Sequence, residues 1–174
     1  MTAIEILSKQ TKDAYAWIYK LMDSIPDEKW NDTPEILASN VSWQIGHVVL
    51  SMYYHSILVI RGHQKDILEK VPLKEYAELF SFNSSPKKSA GKMAAATLRE
   101  HLILMEKKSI EIINSLTPEE LDKELIPGKV EHPVAKNKFE AIDWNIKHTM
   151  WHCGQLATIK RTLGYTYKFE MKKT

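Results

Sequence analysis

His148-Thr149-Met150-Trp151-His152, running on into Cys153-Gly154-Gln155, is the stretch on which the reading of this chain turns. Two histidines four residues apart on a helix project from one face, one turn apart. At that spacing both imidazoles can reach one metal ion, at about 2.0–2.1 Å for zinc. The flanks predict the helix. Asn137 with Glu140 three residues on resembles a capping box, Lys160 and Arg161 suit a last turn, and Gly164 ends it, so a helix is expected over about 138–163.

Three more segments carry the same periodicity. The first covers about 2–24. Thr2-Ala3-Ile4-Glu5 reads as a capping box, and Ile4, Leu7, Thr11, Tyr15, Ile18, Met22 and Ile25 form one stripe before Pro26. A second helix is expected over about 40–61, with Asn40 as N-cap and Gly62 as stop. The third spans roughly 86–116, with the stripe Ala94, Leu98, His101, Leu102, Met105, Ser109, Ile112 and Leu116. A helical turn is expected around 73–80, a short helix at Thr117-Pro118-Glu119-Glu120, and a loop over 125–137 with Pro127, Gly128 and Pro133. Four helices with a long crossover at 63–84 predict an all-α four-helix bundle, one domain over residues 1–174.

Composition narrows the function. Hydrophobic residues make up 44% of the 174 and charged residues 26%, ordinary for a soluble domain with a substantial core. A net charge of +2 gives no reason to expect nucleic acid or an anionic membrane as partner. The densest basic run, 168–173, is short and interrupted by Phe169, Glu170 and Met171. No apolar run has membrane-spanning length, the N-terminus lacks the shape of a signal peptide, and one cysteine makes no internal disulfide. A cytoplasmic location is expected.

His47 lies in the second helix, and with His148 and His152 it makes three imidazoles from two helices. Such a set leaves coordination positions open, as catalytic sites do. Neutral imidazole suits zinc, nickel, copper and iron, and a metal so held polarises a substrate atom or acidifies a bound water. The residues alone leave open a second account, in which the histidines hydrogen-bond in the core. A zinc-protease motif is excluded, because Thr149 stands where the general-base glutamate is needed.

Other residues have structural readings. Cys153 is rotated about 100° from His152, onto the back of the helix, where packing is expected rather than chemistry. His101 is expected to be a hydrogen-bonded core histidine, His55 to sit at the edge of the site about 80° from His47, and His63 and His132 to meet solvent in loops. Trp43, Tyr54, Trp144 and Trp151 share the histidine faces. Tyr54, Trp151 and Gln155 are the substrate-pocket candidates, with a helix-to-helix hydrogen bond as the alternative for Gln155.

Ser42-Trp43-Gln44-Ile45-Gly46-His47 is similar to the Trp-x-x-Gly-His signature of the DinB-like superfamily, and His148-x-x-x-His152-x-Gly154-Gln155 resembles its second signature. Leu-Thr-Pro-Glu-Glu at 116–120 and Arg161-Thr162-Leu163-Gly164 fit as well, so the resemblance runs through nearly the whole chain. It implies a four-helix bundle, often a homodimer, with a divalent metal, usually zinc or nickel, on His47, His148 and His152. It also implies a metal-dependent hydrolase, or a transferase or isomerase using a low-molecular-weight thiol such as bacillithiol or mycothiol, acting on a small molecule. Two positions depart from it: Thr149 replaces a common acidic residue and Cys153 a common arginine. The alternative is a metal- or small-ligand-binding module without turnover, linked to stress.

The residues themselves point to assembly. Helix two carries Trp43, Leu50, Tyr54 and Leu58 around His47, and Ile45, Val49, Met52, Ser56 and Ile60 opposite; helix four carries Phe139, Ile146, Met150, Cys153 and Ala157 on its back. Helices apolar on two sides are buried on two sides. A homodimer or a crossover segment is expected to cover the second.

Overall fold

The structure, a computed structural model, describes residues 1–128 and 131–166. The basic run at 168–173 lies outside the described residues. Four long helical elements make the bundle: α1 (Ala3–Met22), α2 (Val41–Met52) with its continuation, α7 (Ala95–Asn114) and α9 (Lys138–Thr162). The α2 rod continues through a π-helical turn (Tyr53–Leu58) into α3 (Val59–Arg61), which Gly62 stops at φ +79°. Helix α1 packs on α7 and α9, and α2 packs on the same two, so α2 and α9 are neighbours. No strand is found among the described residues, only an isolated bridge between Glu124 and Asn137.

Local chemistry explains the ends. Thr2 and Glu5 form the capping box of α1, and Asn40 and Asn137 accept from the backbone N–H groups of Trp43 and Glu140. Leu7, Thr11, Tyr15, Ile18 and Met22 are buried as their periodicity predicts, in the core that Leu98, Leu102 and Met105 of α7 and Ile142 and Leu156 of α9 also enter. Removing that apolar surface from water is the main force holding the bundle.

Two expectations change. The third helix is not continuous: α6 (Pro86–Ser89) ends at Gly91, whose φ of +71° breaks the rod, and α7 begins only at Ala95. Ala94, expected on the buried stripe, is an exposed N-cap. The crossover also does more than connect. It contains α4 (Lys65–Leu68) and α5 (Leu73–Phe80), and both α5 and α6 lie on α2, with Phe80 against Gly46 and His47. Tyr76 and Phe80 are fully buried there. Helix α8 (Pro118–Leu121) follows α7, capped by Thr117 and tied back to α3 by Arg61, whose guanidinium pairs with both Glu120 oxygens. Among the described residues no helix is long and apolar enough to cross a membrane.

Candidate metal centre

The spacing of Trp43, Gly46 and His47 has a mechanical reason. A Cβ at Gly46 would run into the Phe80 ring, so only glycine lets α5 approach α2 this closely. That approach brings the Phe80 carbonyl to 2.7 Å from His47 Nδ1. A carbonyl only accepts, so His47 carries its proton on Nδ1 and keeps the Nε2 lone pair free. Trp43, one turn earlier, stacks on the His47 ring at 4.9 Å and 9°, and its indole N–H donates to Ser84 Oγ.

On α9 the same logic fixes His152. Gln44 Nε2 donates to Gln155 Oε1 and Ser39 Oγ, each at 2.7 Å, which turns Gln44 Oε1 toward His152 Nδ1 at 2.5 Å. His152 therefore donates from Nδ1 and presents a lone pair at Nε2. That Nε2 lies 3.2 Å from Nε2 of His148. Ligand atoms of His47, His148 and His152 all lie within 4.8 Å of one another. Two nitrogens bound to one ion at about 2.0–2.1 Å are separated by roughly 3 Å, so the observed spacing fits a shared cation. Second partners on Nδ1 of His47 and His152 are the usual means of orienting such ligands. The donor set, three neutral imidazoles, fits a divalent transition-metal ion.

The electrostatics agree. Burial lowers the pKa of all three rings, and His148 and His152, further disfavoured as cations by neighbouring histidines, fall to about 4 and about 2. All three are neutral at physiological pH, with lone pairs available. His148 Nδ1 is buried without a partner among the described residues. Trp144 stacks on the His148 ring and Trp151 meets it edge-on.

The other expected residues divide. Gln155 forms the helix-to-helix bond to Gln44 rather than facing the pocket. Trp151 touches His148 but is 62% exposed, at the rim. Tyr54 lines a cleft of about 610 Å³ with Ile126, His132, Pro133 and Lys136 among its walls, and none of the three cluster histidines lines it. His101 is a core histidine bonded to the Tyr76 hydroxyl, Cys153 is buried with its thiol pushed up to about 12 by desolvation, and exposed His63 meets the Tyr53 hydroxyl.

His55 and His132 were misplaced by the sequence reading. His55 is not peripheral: it is buried, with its ring 5.7 Å from that of His148. Six residues wound as a π turn rotate less per residue than an α-helix, which carries His55 back toward the His47 face. His132 does not simply meet solvent; it bonds His55 and stacks on Tyr54. Gln44 was missed as an orienting residue, although its place three residues before His47 was the available signal.

An all-helical bundle with a three-histidine cluster between neighbouring helices is the class of protein these observations define. The chain belongs to the DinB superfamily, whose family model matches residues 10–156. Among solved structures it is similar to a conserved protein from Enterococcus faecalis, with a TM-score of 0.72 and 17% identity over 94% of this chain and 99% of that one. That likeness bears on the fold alone. No curated protein matches the chain.

Proposed function

We propose that this protein holds one divalent metal ion, zinc or nickel, on His47, His148 and His152, and acts on a small molecule at the positions left open. The observation that carries this reading is the convergence of three neutral imidazoles from two helices, two of them oriented through Nδ1. Such an ion, held by neutral ligands, acidifies a thiol or water bound beside it. The chain supplies the rest. Phe80 and Gln44 hold the His47 and His152 rings in one tautomer, and Trp43 and Trp144 stack on the His47 and His148 rings.

The choice of reaction follows from what is not beside the ligands. No carboxylate joins the cluster among the described residues, and the Thr149 hydroxyl turns away to donate to Tyr15 Oη. An acidified thiol is already a nucleophile, whereas hydrolysis benefits from a general base. Thiol transfer to an electrophile is therefore ranked above ester or amide hydrolysis. The same lack of a base favours, as a second reading, a metal- or ligand-binding module without turnover. The test is conjugation of a low-molecular-weight thiol to an electrophile by zinc- or nickel-loaded protein. Acceleration lost in His148→Ala supports the enzyme; tight metal binding without turnover of thiol, ester or amide panels supports the module.

A further inference from the structure

We propose that His55 is a fixed hydrogen-bond donor of this centre, set by His132, for an acceptor oxygen on a small molecule bound beside the three histidines. The proposal rests on the metal reading and deepens it. Its starting point is the loop before α9. The backbone N–H groups of Ala135 and Val134 point at His132 Nδ1, at 2.8 and 3.2 Å. A ring nitrogen that accepts from backbone donors carries no proton, so neutral His132 has its proton on Nε2. That Nε2 lies 2.7 Å from His55 Nδ1. His132 Nε2–H donates, His55 Nδ1 accepts, and the His55 proton is left on Nε2.

His55 therefore cannot be a fourth ligand. One nitrogen is engaged as acceptor and the other is protonated. The three cluster histidines present lone pairs, while His55 presents an N–H. The ring is 7% exposed, stands edge-on to His148, and has no acceptor for Nε2 among the described residues. Unlike His148 Nδ1, this Nε2 is not sealed from solvent, so its N–H is open to a carbonyl or carboxylate oxygen of a bound molecule. The relay rests on fixed parts. Tyr54 lies flat against His132 at 5.5 Å and 3°, and Ile126 N–H donates to the Val59 carbonyl where the π turn ends.

Two measurements test this. In metal-free protein near neutral pH, two-bond proton–nitrogen correlations should show both His55 and His132 protonated on Nε2 alone. Nδ1 protonation of either ring overturns the proposal. His132→Ala should leave His55 a mixture of tautomers, a change that mere loss of packing does not demand. In cobalt(II)-loaded protein, acetate titrated against the visible spectrum should bind about tenfold more weakly to His55→Phe, the loss expected for a hydrogen bond to a charged acceptor. His55→Gln, which keeps an N–H, should recover much of it. Cobalt bound normally with equal acetate affinity in wild type and His55→Phe overturns the donor alone. Wild-type protein that takes up no cobalt overturns the metal reading and this role together.

Discussion

Gln44 does for His152 what the Phe80 carbonyl does for His47: each accepts a hydrogen bond from Nδ1 and leaves the Nε2 lone pair free. Removing such a partner typically lowers metal affinity by about 10–100-fold. Gln44→Ala is therefore expected to weaken zinc binding within that range while the helical circular dichroism stays native, and a competition titration with a chromogenic chelator measures it. Unchanged affinity contradicts the role. Protonation gives a second prediction at this scale. His47, His55, His148 and His152 all have pKa values below the ordinary histidine value, because burial disfavours the cation. Below about pH 6.5 the unfolded chain takes up protons that the native metal-free protein refuses, so stability falls with pH. It should fall by up to about 1.4 kcal/mol per pH unit for each ring that stays neutral. The loss continues toward about pH 4 for His148 and lower for His55 and His152. Urea unfolding of metal-free protein at neutral pH and near pH 5 checks the sign; equal stability contradicts it.

At the scale of the element, Gly46 couples α2 to α5. A methyl group there must displace Phe80, which is fully buried. Overpacking of this kind costs about 1–3 kcal/mol. Gly46→Ala should lower the unfolding midpoint and also weaken metal binding, because the carbonyl that holds His47 moves with Phe80. Native affinity in a destabilised Gly46→Ala protein would separate the two effects and contradict the coupling. The four long helices and the three-histidine cluster were legible in the sequence because they rest on local signals: caps at Thr2, Asn40 and Asn137, stops at Gly62 and Gly164, and an i, i+4 histidine pair. Other features were not. The π turn at Tyr53–Leu58 has no local signature, so a constant 100° per residue put His55 at the edge. His132 acquires its partners through a loop docked on α2's continuation, a long-range contact that periodicity does not report. Gly91 was a visible break in the third helix, but the apolar stripe ran through it.

At the scale of the molecule, α1 packs along α9 and buries Cys153 at the edge of its back face, but the middle of that face stays open among the described residues. Phe139 and Met150 are 40% and 43% exposed there, and Gly154 faces open space. A two-fold contact would pair that strip with itself. The protein is expected to run as a homodimer in light scattering at micromolar concentration, and Met150→Glu, which would bury a charge, should split it without unfolding the monomer. A monomeric wild type contradicts this. The central claim is the metal, and elemental analysis of untagged wild-type protein beside His47→Ala, His148→Ala and His152→Ala tests it most directly. The account expects about one divalent ion per chain in wild type and far less in each variant, because a site of three ligands seldom survives on two. Equal metal content in all four proteins would contradict it.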